Sequence, residues 1–148
     1  MPSPRKPTPF FESQTQAGAS FGEVSGWSIP LSYSSEHQEY LAALERVILS
    51  DQSPTGRLWM TGSDGLDLLN RLSTNLVDPL PIGSVVSTVL TNNKGRMIDA
   101  VKVVNLEDGL LILTSPSGRK PVEDWINKYT IVEDIGLVDI TESSAMLA

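Results

Sequence analysis

Asp99 is the residue whose type and setting best suit chemistry. Alternation along an extended segment over 96–104 places it on one face with Met97, Val101 and Val103, and places Arg96, Ile98, Ala100 and Lys102 on the other. A carboxylate among three apolar neighbours is costly to bury unless it is paired or hydrogen-bonded, and burial raises its pKa toward the range of a working acid, base or ligand anchor. The same pattern also suits an exposed aspartate at a sheet edge or rim. Asn92 and Asn93 carry amides that could donate to a ligand, and with Lys94 and Gly95 they equally spell a hairpin turn. The run Ser115-Pro116-Ser117-Gly118-Arg119-Lys120 opens a helix, whose N–H groups attract anions; it lacks the glycine spacing of a phosphate loop, which favours simple capping. His37 is the single histidine and stands beside Glu36 in a polar run, read as an exposed residue at a helix start. One histidine and no cysteine exclude a Ser-His-Asp set, a thiolate nucleophile, a disulfide framework and a Cys-ligated metal. A carboxylate-only Mg²⁺ or Ca²⁺ site stays open in principle, but no EF-hand spacing is present and no metal site is assigned.

The elements that must position these residues are legible as periodicities. Tyr40, Leu41, Leu44, Val47 and Ile48 recur at helical spacing, with Ser34 or Ser35 as cap, and predict a helix with that stripe buried. A short strand over 57–61 follows, then a helix capped by Ser63 with Leu66, Leu69 and Leu72 on its stripe. Residues 78–81, Asp-Pro-Leu-Pro, force a turn. The β-branched run over 84–90 reads as a strand; the Asn-Gly loop returns it as 96–104, and 110–114 completes a meander. Pro121 suits the first turn of a third helix burying Val122, Trp125, Ile126 and Tyr129, and a last strand covers about 135–140. Trp27, Trp59 and Trp125 are read as core anchors. The expected fold class is α+β: an antiparallel sheet with helices on one face, built from split βαβ elements of ferredoxin-like kind.

The chain has 148 residues, 40% of them apolar and 20% charged, as expected of a packed globule. Its formal net charge of −7, with no basic run, argues against a nucleic-acid surface. No apolar stretch approaches the roughly 18 residues that cross a bilayer, and no apolar segment follows the two basic residues near the start, so a soluble, cytoplasmic protein is expected. Four prolines among the first nine residues mark 1–17 as a flexible leader, which assigns 18–148 to the domain. The apolar end, Ala145-Met146-Leu147-Ala148, looks like an interrupted strand; it suggests an incomplete domain, a site that is not self-sufficient, and an edge capable of self-association.

Several short motifs in fixed order resemble the folate-binding aminomethyltransferase superfamily, which includes the glycine-cleavage T-protein and its YgfZ-type relatives. They are A-G-A-S-F from Ala17, G-W-S-I-P-L-S-Y from Gly26, E-Y-L-A-A-L from Glu39 and L-S-D-Q-S from Leu49. Gly62-Ser63-Asp64-Gly65 with Leu68-Leu69 is similar to the family's G-x-D-A-x-x-F-L helix start, and T-N-N-K-G-R-M-I-D from Thr91 to its N-x-x-G-G-x-x-D-D hairpin. D-W-I-N-K-Y from Asp124 and V-D-I-T from Val138 follow in the expected order.

The resemblance implies tetrahydrofolate as cofactor and one-carbon transfer from an aminomethyl group, with a lipoylated carrier protein as partner in the T-protein. It also implies that this chain looks like the N-terminal portion of proteins more than twice its length. The family's paired aspartates fall on Asp99 and Ala100, so the second, catalytic position carries alanine and Asp99 is left as the candidate catalytic carboxylate. The tyrosine expected near the pterin falls on Ser87, and the asparagine after the third strand falls near Thr114 or Ser115. Asn92 and Ser115 are the candidate cofactor contacts. G-R-M from Gly95 resembles the YgfZ-type branch, whose members tolerate a replaced catalytic aspartate and support iron–sulfur enzymes; a non-catalytic folate-binding factor is therefore the alternative.

Overall fold

In a computed structural model the described residues are 5–148, and they divide into two compact units. The first comprises residues 5–54 and 143–148. Strand β1 (Lys6–Pro7) runs parallel to β3 (Trp27–Ser32), which pairs antiparallel with β2 (Ser20–Val24), and helix α1 (Phe11–Gln16) lies between β1 and β2 in the chain. Ser25 and Gly26 both have positive φ, the two-residue turn that matches the right-handed twist of paired strands. Trp27 is buried, with the Lys6 ammonium 4.7 Å from its ring centre.

Residues 5–17 are therefore not a loose leader. Pro7 is tolerated in β1 because that strand lies at the edge of its sheet, where a missing N–H costs no ladder bond. Gln14, a buried amide on α1, donates to Asp51 at 2.7 Å and is approached by the Thr8 hydroxyl at 3.3 Å, which ties the segment down. Burial pushes Asp51 up, but hydrogen bonds from Ser53, Gln14 and Thr8 together outweigh it and hold the carboxylate below its usual range. Residues 1–4 of the expected leader lie outside the described residues.

Helix α2 (Glu36–Glu45) starts where expected, with the Ser35 hydroxyl accepting from the Gln38 N–H at 3.4 Å and the exposed His37 in its first turn. Its apolar stripe corrects the expectation of burial. Tyr40 is 62% exposed and Val47 97%, while Leu41, Leu44 and Ile48 are exposed too. Arg46 takes an extended conformation and ends the helix, so Val47 and Ile48 fall beyond it. Near the chain end, Ser50 and Ala148 exchange backbone hydrogen bonds and Gln52 donates to Met146, so the apolar terminal run is paired along one edge.

The second unit, residues 55–142, contains β4 (Gly56–Thr61), α3 (Gly65–Leu72), β5 (Val85–Thr91), β6 (Met97–Leu106), β7 (Gly109–Thr114), α4 (Arg119–Tyr129) and β8 (Gly136–Asp139). Its sheet order is β5-β6-β7-β4-β8, with antiparallel neighbours throughout. Leu58 and Met60 of β4, Leu90 of β5, Val101 and Val103 of β6, and Leu110 and Ile112 of β7 form one core with Leu68, Leu69 and Leu72 of α3 and Val122 and Ile126 of α4. Both helices therefore cover the same face, as the stripes required: an α+β fold. Ser63 is not the cap of α3; Asp64 holds that position, and the Ser63 N–H and hydroxyl both bind the Asp134 carboxylate at 3.2 Å. Among the described residues no helix is long and apolar enough to cross a membrane.

Glu133 fixes the loop after α4. Its carboxylate accepts from Arg71 at 2.9 Å and from the backbone N–H groups of Ile131 and Val132, and these bonds, Arg71 foremost, hold its pKa down at about 2. A depressed folded-state pKa contributes stability that is complete above the unfolded value of about 4.3 and is lost as pH falls toward the folded one. Carbon-detected NMR titration should place the Glu133 midpoint near 2, and Arg71→Ala should move it up toward about 4.3. A midpoint unmoved by Arg71→Ala would remove the guanidinium as its principal cause.

Candidate functional site

Strand β6 presents two faces, and the sequence-derived candidates divide between them. On the core face Asp99 stands opposite Leu90 and is 7% exposed. Its Oδ2 accepts from the Ser115 backbone N–H at 2.8 Å, in the loop that leads into α4. Gly118, the residue before the first turn of α4, lies directly against that carboxylate; a Cβ added there would overlap Asp99 and crowd the Ser115 hydroxyl. Asp99 and Ser115 are thus brought together, and the contact they make is an anchor for the α4 entry. The loop's cations are committed elsewhere: Arg119 pairs with Asp139 at 3.2 Å and Glu142 at 3.7 Å, and Lys120 with Glu123 and Asp124.

Asn92 is apart from this pair, at the tip of the β5–β6 hairpin. Its Oδ1 accepts from the N–H groups of Lys94 and Arg96 at 2.9 and 3.0 Å, which is turn chemistry. Asn93, next to it, accepts from the Tyr129 hydroxyl at 2.6 Å and so docks the hairpin tip to the end of α4. Just past the turn the register shifts: Leu90 pairs with Asp99 but Thr91 pairs with Met97, leaving Ile98 as an extra residue. This β-bulge rotates Met97 away from the Asp99 face, and Met97 is 67% exposed instead of sharing the core with Val101 and Val103.

The other face of β5 and β6 carries the concavity. A shallow open hollow of about 260 Å³ is lined by Asn75, Ser87, Thr88, Val89, Ala100, Val101 and Lys102. Ser87 stands opposite Lys102 and Val89 opposite Ala100, so these four side chains form its floor, while Thr88 and Val101 point to the core and line it through backbone. Asn75 forms the rim. Its backbone N–H donates to the Thr88 hydroxyl at 3.2 Å and its Nδ2 to the Ser87 carbonyl at 3.1 Å; with Thr74 N–H bound to the Val89 carbonyl, it covers part of the β5 edge. The sequence reading missed Asn75, and only its polar character between a helix and a proline turn hinted at it. Among the described residues no carboxylate lines the hollow. Among the described residues no cluster of His, Cys, Asp or Glu could hold a metal ion.

Comparison with known proteins decides the family. Residues 10–148 match the model of the GCVT N-terminal domain. The chain belongs to that family. Similar proteins include the aminomethyltransferases of Thermotoga petrophila and Thermotoga maritima, each 28% identical over 145 residues that make up 97% of this chain and 40% of the relative. The crystal structure of glycine cleavage system aminomethyltransferase T from Bartonella henselae has the same fold, with a TM-score of 0.83 and 21% identity, covering 96% of this chain and 39% of that one. The chain thus spans about 40% of the length of the curated relatives it matches. The GCVT match begins at residue 10, within the segment expected to be leader.

Proposed function

We propose that this GCVT-family chain binds a reduced folate, with the pterin ring on the Ser87–Val89–Ala100–Lys102 hollow. The observation that carries the reading is a convergence. Ser87 and Ala100, the positions that the family resemblance assigns to a residue near the pterin and to the catalytic aspartate, lie on neighbouring strands and line the same concavity. Val89 and Ala100 offer an apolar floor for one face of a flat heterocycle, and Ser87 borders it. A volume of about 260 Å³ lies just below the usual range for ligand sites, roughly 300–1,000 Å³. It suits the ring and not a whole folate, so the rest of the ligand would extend past the rim.

The similar aminomethyltransferases motivate one-carbon transfer to tetrahydrofolate, from a lipoylated carrier, as the activity of a complete protein of this kind. The absence of any carboxylate from the hollow favours the second reading, a folate-binding factor without transfer, as in YgfZ-type relatives. Aminomethyl transfer needs a group to orient the amine, and Asp99 points to the opposite face. Titration calorimetry with tetrahydrofolate, followed by a transfer assay with aminomethylated lipoyl carrier, tests both readings. Saturable binding without methylene-tetrahydrofolate formation is the expected result; product formation would establish transfer instead, and no saturable binding would end the folate reading.

A further inference from the structure

We infer that Lys102 makes the β5–β6 hollow selective for ligands bearing an anionic group, the carboxylate-bearing end of a folate being the case in point. The inference rests on the folate reading and adds to it the direction and charge of the bound molecule. Lys102 is exposed, lines the hollow and makes no ion pair among the described residues. Most other cations of the chain are engaged: Arg5, Arg71, Arg119 and Lys120 in ion pairs, and Lys6 and Lys128 over aromatic rings. In a chain of net charge −7, an unpaired ammonium over a floor without a carboxylate makes the hollow a local exception to the protein's repulsion of anions.

The floor's chemistry gives the ligand its orientation. Lysine lays its methylene stem along apolar surface and keeps its ammonium at the wet end, so Lys102 extends the Val89–Ala100 floor and places its charge at the rim. Lys102 is two residues beyond Ala100, about 6.6 Å along the strand. A ring seated on Val89 and Ala100 therefore directs its substituent along β6 toward Lys102, where a carboxylate gains a charge-assisted hydrogen bond.

The test compares tetrahydrofolate with the uncharged ring fragment 6-methyltetrahydropterin, by calorimetry, on the wild-type chain and on Lys102→Met, which keeps the stem and removes the charge. Tetrahydrofolate affinity should fall roughly tenfold or more in Lys102→Met, and that loss should exceed the loss for tetrahydropterin by about fivefold or more. The tetrahydrofolate difference should narrow as salt rises. Equal loss for both ligands, or none for either, overturns the inference and leaves the folate reading standing. Failure of both ligands to bind the wild-type chain sinks the folate reading and this inference with it.

Discussion

Gly118→Ala should destabilise the second unit by about 2–4 kcal/mol, although the substitution adds a single methyl group and replaces glycine with the best helix former. Gly118 has φ −81°, so alanine meets no backbone strain there. The whole effect comes from contact: the new Cβ would occupy space held by the Asp99 carboxylate. Either that carboxylate moves and abandons the Ser115 N–H, now 2.8 Å away, or α4 shifts away from a core that includes Val122 and Ile126. The first leaves a half-buried donor without its acceptor, and the second opens voids in close-packed apolar contacts. For a unit of this size the midpoint of thermal unfolding should drop on the order of 10–20 °C. A double-mutant cycle isolates the cause. Asp99→Ala alone should cost about 1–3 kcal/mol, because it strips the Ser115 N–H of its acceptor. The pair of changes should then cost less than the sum of the two by about 1 kcal/mol or more, since the methyl no longer has a carboxylate to collide with. Strict additivity in urea unfolding would show that the Asp99–Gly118 contact is not what excludes a side chain at 118.

Ala100→Trp should abolish tetrahydrofolate binding, with affinity falling on the order of a hundredfold or more, and leave stability within about 0.5 kcal/mol. Ala100 is exposed and paired across from Val89, so an indole there lies over the floor of the hollow without entering the core. The volume available is about 260 Å³, and an indole occupies much of it. Lys94→Trp provides the control, because Lys94 is exposed at the hairpin tip and does not line the hollow. That variant should bind tetrahydrofolate as the wild type does. Calorimetry on the three proteins, with circular dichroism to confirm folding, checks the prediction. Undiminished binding in a folded Ala100→Trp chain would place the ligand elsewhere.

These variants also separate the roles of two adjacent residues. The resemblance put a pair of candidate positions at Asp99 and Ala100, and the strand's alternation necessarily sends them to opposite faces. The residue with the reactive side chain, Asp99, faces the core as an anchor, and the residue with none, Ala100, faces the hollow. A functional carboxylate therefore could not be chosen from residue type alone. Alternation grouped Asp99 with apolar neighbours but left open whether it was buried or at a rim, and the Ser115 N–H that satisfies it comes from a loop 16 residues away.

The sequence alone determined what depends on local periodicity: the stripes of α3 and α4, the strands of the second unit, the Asn-Gly hairpin, and the α+β class they compose. These survived because each local preference agreed with the core that the elements share. Tertiary structure decided whatever depends on a partner. The stripe at Tyr40, Leu44 and Val47 specifies a face but not what covers it, and that face is exposed. The bulge at Ile98 turned Met97 outward, because register is set across strands and not along one. Pro7, which speaks against structure in isolation, was accommodated at a sheet edge, with Gln14 bound to Asp51 far along the chain. The hollow itself required Asn75 to meet β5, a juxtaposition no spacing encodes. Period reports which side of an element is apolar; only the folded chain brings distant residues to that side.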